Sequence, residues 1–269
     1  NSIALRAGLE ERGSIFQTTM DSEVVLHLMA RAADLGLEQA LIQTFTALKG
    51  AYSLLLMTQD TMIAVRDPDG FRPLCLGKLK NGGGDGWIVA SETCALDLVE
   101  AEYIRDIAPG EVLIFKDGAM TSIFPWPKQN SHFCIFEQVY FARPDSEIFG
   151  INVYQARKRM GEILAGEAKI DADFVMPFPD SGNYAALGYS QASGIPLEMG
   201  VIRNHYVGRT FIQPTQSMRD FNVKVKLNPV RSFLKGKRLI IVEDSIIRGT
   251  TGKSRVRALR EAGAKEVHM

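Results

Sequence analysis

The sequence predicts two successive units of different class, an α+β unit with antiparallel sheets followed by an α/β unit with a parallel sheet. Three observations carry this expectation. Up to about residue 125, two stretches with helical apolar spacing precede short apolar runs separated by turn signals. From Val153 onward, helical and apolar stretches alternate one by one, the rhythm of a parallel sheet. Between them lies a polar, proline-bearing stretch, Pro125-Trp126-Pro127-Lys128-Gln129-Asn130, and the break is placed at 125/126.

In the first unit, Ile3, Leu5 and Leu9 mark an amphipathic segment, and Ser22–Leu35 and Leu37–Leu48 have helical spacing. Strands are expected over Ala51–Met57, Thr61–Arg66, Pro73–Gly77, Trp87–Ser91 and Val112–Phe115. They are parted by Gln59-Asp60, Asp67-Pro68-Asp69-Gly70, the run Asn81–Gly86 and Pro109-Gly110. Gly82-Gly83-Gly84 reads as a hairpin tip and not a phosphate loop, because no helix follows it. In the second unit, helices are expected over Val153–Ala165, Tyr184–Ala192 and Thr250–Ala262, with strands over Phe174–Met176, Pro196–Ile202 and Leu239–Val242.

A chain of 269 residues, 46% hydrophobic and 23% charged, holds enough apolar surface for one large or two ordinary cores. The 31 Lys and Arg balance the 31 Asp and Glu, so no net field draws the chain to nucleic acid or a membrane, and an anion site must come from local grouping of charge. Cys75, Cys94 and Cys134 are odd in number and widely spaced, which is no disulfide framework, and a reducing compartment such as the cytoplasm is expected. No stretch approaches the roughly 20 apolar residues of a membrane span. Residue 1 is Asn, and Lys265–Met269 only begins what reads as another strand, so an internal fragment is expected, its second domain truncated at the C-terminus.

The densest chemistry lies in Leu239–Thr251. Apolar residues up to Val242 run into two carboxylates, Glu243 and Asp244, and then into Ser245, Ile246, Ile247, Arg248, Gly249, Thr250 and Thr251 at the start of a helix. Backbone N–H groups and hydroxyls in that place suit a phosphate, and the two acids are expected to face sugar hydroxyls or a magnesium ion. The competing reading is a strand–turn–helix whose acids and hydroxyls only cap the helix. Asp180, Ser181 and Gly182 form a similar turn between a strand and a helix, where Ser181 either caps or faces an anion. Arg203–Pro214, rich in cationic, aromatic and glycine residues, opens a long connection that either closes over a ligand or is a solvated basic loop. Asp21 stands where an N-cap is expected, and Cys134 lies between apolar residues, as a small buried hydrophobe does.

Taken together, Asp21-Ser22-Glu23-Val24, Cys134-Ile135-Phe136-Glu137, Tyr140–Ser146, Pro179-Asp180-Ser181-Gly182, Arg203–Pro214 and Leu239–Thr251 resemble, in this order, the blocks of the glutamine phosphoribosylpyrophosphate (PRPP) amidotransferase family. The resemblance covers nearly the whole chain. It implies a partial α+β N-terminal-nucleophile (Ntn) glutaminase domain over 1–125 and a partial α/β type I phosphoribosyltransferase domain over 126–269. The implied activity is that of a pentosyltransferase: glutamine is hydrolysed in the first domain, and the ammonia displaces pyrophosphate from PRPP in the second to give phosphoribosylamine, the opening step of purine synthesis.

The resemblance also implies roles. Asp21 binds the glutamine α-amino group; Asp180, Ser181 and Gly182 hold pyrophosphate; Arg203, Tyr206 and Arg209 belong to a closing loop; and residues 243–251 bind the rest of PRPP. Magnesium falls to Ser181, Glu243 and Asp244, where the family usually has Asp-Asp in place of Glu243-Asp244. Cys134 becomes one ligand of a [4Fe–4S] cluster, which needs about four thiolates. The nucleophilic N-terminal cysteine is expected upstream of residue 1. Purine nucleotides as feedback inhibitors, a homo-oligomer such as a tetramer, and a plastid stroma in a plant or alga complete the implications. A salvage phosphoribosyltransferase and a non-catalytic PRPP-binding regulator are the competing functions; the first leaves Asp21 unexplained, and the second calls for a basic DNA-binding face that the sequence lacks.

Overall fold

Side-chain alternation along two strands sets the layers of the first unit. The computed structural model describes residues 1–81, 84–127, 130–204 and 227–269, which form two compact units, Asn1–Cys134 and Ile135–Met269. The first begins with helices Ser2–Glu10 (α1), Glu23–Arg31 (α2) and Leu37–Ala47 (α3). Ser53–Met57 (β1), Thr61–Arg66 (β2), Val112–Lys116 (β6) and Ala119–Ile123 (β7) then form an antiparallel sheet in that order. Cys75–Asn81 (β3), Gly84–Ala90 (β4) and Ala101–Asp106 (β5) form a second antiparallel sheet, ordered β4-β3-β5, with Thr93–Leu98 (α4) between β4 and β5.

Successive residues of a strand face opposite sides. Ile63 and Val65 of β2 and Val112 of β6 pack with Val25, Leu41 and Phe45 from α2 and α3. Their neighbours Ala64 and Leu113, with Phe115, pack with Leu74, Leu76 and Ile107 on the other side. The first sheet is therefore covered by helices on one face and strands on the other, the layered α+β arrangement the sequence predicts.

The second unit repeats this logic on a parallel sheet. After a short antiparallel pair, Glu147–Ile148 (β8) and Ile151–Asn152 (β9), the strands Phe174–Pro177 (β10), Arg238–Val242 (β13) and Glu266–His268 (β14) pair in parallel in that order. Phe174, Met176, Leu239 and Ile241 face Leu234 of Arg231–Leu234 (α7) and Leu259 of Thr250–Glu261 (α8). Val175, Ile240 and Val242 face Ala165 of Val153–Glu167 (α5) and Ala186 and Tyr189 of Asn183–Ser193 (α6). Burial on both faces explains the uninterrupted apolar run of β13. Helices α5 and α6 cross where both have glycine: a Cβ on Gly161 would lie 1.9 Å from the Ala185 carbonyl oxygen, and one on Gly188 would lie 1.9 Å from that of Lys158.

Several elements differ from the sequence expectation. The helix expected over Ser22–Leu35 stops at Arg31, a 3-10 turn occupies Ala33–Leu35, and Gly36 at φ +79° redirects the chain into α3. Strands β3 and β4 run into the glycine-rich stretch and meet at Asn81↔Gly84, while Gly82 and Gly83 lie outside the described residues. The strand expected over Pro196–Ile202 is reduced to a bridge between Leu197 and Val175 and to Val201–Arg203 (β11), which pairs antiparallel with Leu227–Pro229 (β12). Gly200 interrupts it, seated where a Cβ would be 2.9 Å from Leu234 and 3.0 Å from Met176. The units divide between Cys134 and Ile135, downstream of 125/126, because the intervening chain is tied to the first unit. Trp126 donates to the Thr46 hydroxyl at 3.0 Å, and the amides of His132 and Cys134 bond the carbonyls of Asp69 and Phe71 at 2.7 and 3.0 Å.

The helix crossing generates a prediction. Gly161→Ala or Gly188→Ala drives a methyl into backbone, which a rotamer change cannot relieve, so each should cost about 3 kcal/mol or more. Chemical denaturation of the full-length protein measures it; a loss below about 1 kcal/mol would show that the helices separate freely.

Candidate functional site

The site is built at the carboxyl ends of β10 and β13, where open α/β sheets bind ligands. These strands are in register, Pro177 opposite Val242, and the Phe178 amide bonds the Val242 carbonyl at 3.1 Å. Both chains therefore leave the sheet at the same level. After β10 the turn Pro179–Gly182 leads into α6, with the Gly182 amide on the Phe178 carbonyl at 3.1 Å. Gly182 is required by space: a Cβ there would lie 2.3 Å from the Val242 carbonyl oxygen. The second turn, Glu243–Gly249, leads into α8 from Gly249, whose φ of +69° is the left-handed conformation glycine adopts at least cost.

Neither helix start is capped by a side chain. Gly182 is the N-cap of α6 and Gly249 that of α8, and neither helix has a side-chain cap hydrogen bond. The capping reading of Ser181 is thus not realised. Two helix N-termini, each with amides free of a side-chain cap and a partial positive charge, leave adjacent strands in the same direction, the arrangement that attracts anions. At the first of them the buried Asn183 Oδ1 has no hydrogen-bond partner among the described residues.

The charged groups are already arranged in pairs. Asp244 accepts a hydrogen bond from the Ser245 hydroxyl at 2.6 Å. Asp180 forms an ion pair with Arg203 at the end of β11. Glu243 forms one with Arg255 of α8, whose guanidinium lies 4.3 Å from the centroid of the Phe178 ring. Of the expected residues, the structure brings Asp180, Ser181, Gly182 and Arg203 to one strand end and Glu243–Gly249 to the next. Ile246 and Ile247, 63% and 84% exposed, face solvent from the second turn. Thr250 and Thr251 form the first turn of α8, and Tyr206 and Arg209 lie outside the described residues.

In the first unit, Asp21 is exposed. Its expected N-cap role falls to Ser22, and no side chain caps α2. The approach to Asp21 is held by Glu23, which accepts from the Thr18 hydroxyl at 2.6 Å and from the Gln17 and Thr18 amides at 2.7 and 2.9 Å. Cys134 is half-buried, whereas Cys75 and Cys94 are buried, and burial pushes the Cys75 thiol up to about 11. Among the described residues no group of three or more His, Cys, Asp and Glu is placed to hold a metal, and no helix is long and apolar enough to cross a membrane.

Sequence reasoning missed Arg255, Asn183 and Glu23. Arg255 left a signal: with Gly252, Leu259 and Ala262 it shares the inward face of α8, where helical spacing asks for an apolar residue. Asn183 and Glu23 left none, because neither residue type is unusual in the first turn of a helix.

An antiparallel α+β unit is followed by an α/β unit in which two helices without side-chain caps start at the ends of adjacent parallel strands. Residues 1–98 match the family profile of a glutamine amidotransferase domain. Over 269 residues the chain is 53% identical to amidophosphoribosyltransferase 1, chloroplastic, of Arabidopsis thaliana, covering 100% of this chain and 47% of the relative. It is 49% identical to the amidophosphoribosyltransferase of Bacillus subtilis, covering 100% of this chain and 56% of the relative. Among solved structures, the glutamine PRPP amidotransferase of B. subtilis complexed with ADP and GMP superposes with a TM-score of 0.90 at 49% identity, over 100% of this chain and 58% of that one. Over its whole length the chain is similar to glutamine PRPP amidotransferases, and it spans about half the length of the curated relatives it matches.

Glu23 supplies a pH-dependent prediction. The Thr18 hydroxyl and the Gln17 amide hold its carboxylate down to about 2 from an ordinary 4.5. A depressed folded value means that the stabilisation is present above 4.5 and is lost as pH falls from there through about 2. Amide-exchange protection at Gln17 and Thr18 should fall across that window in the wild type and be low throughout it in Glu23→Gln. Equal protection in both proteins would show that Glu23 does not hold the segment.

Proposed function

We propose that this chain is part of an amidophosphoribosyltransferase, a pentosyltransferase that makes 5-phosphoribosylamine, glutamate and pyrophosphate from PRPP, glutamine and water at the first step of purine synthesis. The observation that carries this reading is the pair of uncapped helix N-termini at the ends of adjacent parallel strands, with Ser181 and Asp244 in the turns between. The similarity of the whole of this chain to about half of each amidophosphoribosyltransferase supports it. The second unit is accordingly a type I phosphoribosyltransferase domain, and the first is part of an Ntn glutaminase domain. A salvage phosphoribosyltransferase has no use for the amidotransferase domain matched over residues 1–98.

The chemistry follows from charge. Ammonia attacks the anomeric carbon of PRPP with its lone pair while the carbon–oxygen bond to pyrophosphate breaks and the bonding electrons leave with the diphosphate. The amides of Asp180 and Ser181 and the start of α6 bind the diphosphate, with Gly182 allowing its close approach, and Ser245–Thr251 with the start of α8 bind the sugar phosphate. Arg203 counters the charge near the first turn, and Tyr206 and Arg209 complete the proposed PRPP-binding set. In the first unit the exposed Asp21 pairs with the α-amino group of glutamine.

Magnesium fits the donor set. A magnesium ion keeps several waters and takes one or two carboxylates plus substrate phosphate oxygens, so no cage of three acids is needed. Asp244 and Ser181 are its proposed donors, and the pairing of Glu243 with Arg255 supports leaving Glu243 out. When bound, the ion would neutralise the leaving diphosphate. A [4Fe–4S] cluster needs more thiolates than this chain's three cysteines supply, two of which are buried in the first unit, so Cys134 would be one ligand among others outside this sequence. Feedback by purine nucleotides, a homotetramer, and a plastid stroma or cytoplasmic setting complete the proposal; the B. subtilis neighbour complexed with ADP and GMP supports the first, and chloroplastic plant relatives support the plastid.

Two variants of the full-length enzyme test the assignment. Asp244→Asn should lower PRPP-dependent turnover at least tenfold, as loss of a charged contact does, and leave glutamine hydrolysis in place. Asp21→Asn should raise the KM for glutamine while leaving ammonia-dependent synthesis intact. Normal turnover in the first, or equal loss with both nitrogen donors in the second, sinks the corresponding role. For the cluster, full-length protein purified without oxygen should carry about four irons per chain, and Cys134→Ser should lose them. Iron-free active enzyme would leave Cys134 as a packing residue.

A further inference from the structure

The two carboxylates after β13 do not share one environment. The Glu243 side chain is 11% exposed and ion-paired to Arg255, whose own side chain is 22% exposed. Asp244, by contrast, accepts from the hydroxyl of its neighbour Ser245 and has no ion pair among the described residues. Arg255 lies on the inward face of α8 with its guanidinium over the Phe178 ring at 4.3 Å, and Phe178 is the residue whose amide bonds the end of β13. Arg255 Nη1 donates to Glu243, its counter-charge, while the buried Arg255 Nε has no hydrogen-bond partner among the described residues. Three segments therefore meet at one point: the exit of β13, the start of α8 and the exit of β10.

We propose that Glu243 is a positioning residue committed to Arg255, and that Asp244 alone of the acidic pair serves the ligand. This rests on the PRPP reading of the site and divides its two carboxylates. The chain leaves β13 at Glu243, makes the exposed turn 244–249, and returns along α8 so that Arg255 closes on Glu243. The ion pair thus clasps both ends of the turn whose amides bind phosphate, and stacking on Phe178 fixes its distance from the other turn. Pairing also cancels one negative charge beside a site for a multiply charged anion, which an uncompensated second carboxylate would repel. The length of Glu matters: the extra methylene over Asp lets the carboxylate reach the helix, so Glu243→Asp is not conservative here. Removing one member of such a pair leaves a buried uncompensated charge, whereas replacing both members does not.

The test uses full-length protein in four forms, wild type, Glu243→Gln, Arg255→Met and the double variant, with Asp244→Asn as reference. Thermal unfolding should show each single variant several degrees below wild type and the double variant no lower than the worse single, the mark of coupling. Calorimetric titration with PRPP in magnesium buffer should place the double variant within about threefold of wild type and Asp244→Asn at least tenfold weaker. Additive melting losses would overturn the clasp. Additive binding losses, with the double variant as weak as Asp244→Asn, would return Glu243 to the ligand. If wild type fails to bind PRPP, the functional reading falls, while the melting data still judge the clasp.

Discussion

The candidate site depends on one interaction, the parallel pairing of β10 with β13 in which Pro177 stands opposite Val242. The end of β13 is used twice: its last carbonyl accepts from Phe178 and is also the surface against which Gly182 sits. The turn carrying Ser181 and the turn carrying Asp244 are thereby held at one height. A slip of one residue would turn Phe174 and Met176 away from α7 and α8 and move one turn relative to the other, so core packing and site geometry are specified by the same register.

The first unit uses buried polar groups toward a similar end. Glu111, 1% exposed, accepts from Arg105 at 2.6 and 2.7 Å, from the Ala108 amide at 2.7 Å and from the Ser122 hydroxyl at 2.7 Å. Asp67, fully buried, accepts from the Asp69 amide at 3.0 Å and the Tyr52 amide at 3.2 Å, and Arg66 donates to the carbonyls of Gly70 and Arg72, each at 2.9 Å. Each satisfied charge closes a turn beside the central sheet, which explains why Asp67–Gly70 and Pro109-Gly110 stay in place without regular structure. A rigid frame of this kind lets a short surface segment such as that before Asp21 be positioned by a single carboxylate.

Much of this was legible because burial leaves a pattern. Strands β2, β6, β10 and β13 are central and apolar, and the turns that follow the last two carry glycine and acids in readable order. What went unread had no such pattern. Strand β7 is a half-exposed edge of polar and small residues, β5 has three exposed residues in succession, and α4 is too short to show a helical period. At the site, adjacency in sequence made Glu243 and Asp244 look like twins. Their difference comes from Arg255, a turn and more of helix away, and only the fold brings it back.

The separation of β10 and β13 along the chain has a kinetic meaning. Closing a long loop is costly before the contacts that reward it are made, so pairing of Phe174–Pro177 with Arg238–Val242 belongs to a late stage of assembly. As the chain leaves the ribosome, α5 and α6 can pack on each other early through their glycine faces, yet the turn after β10 has no partner until β13 emerges. The two turns therefore take their places in the same step of assembly, since the Val242 carbonyl on which Phe178 and Gly182 rest arrives only with β13.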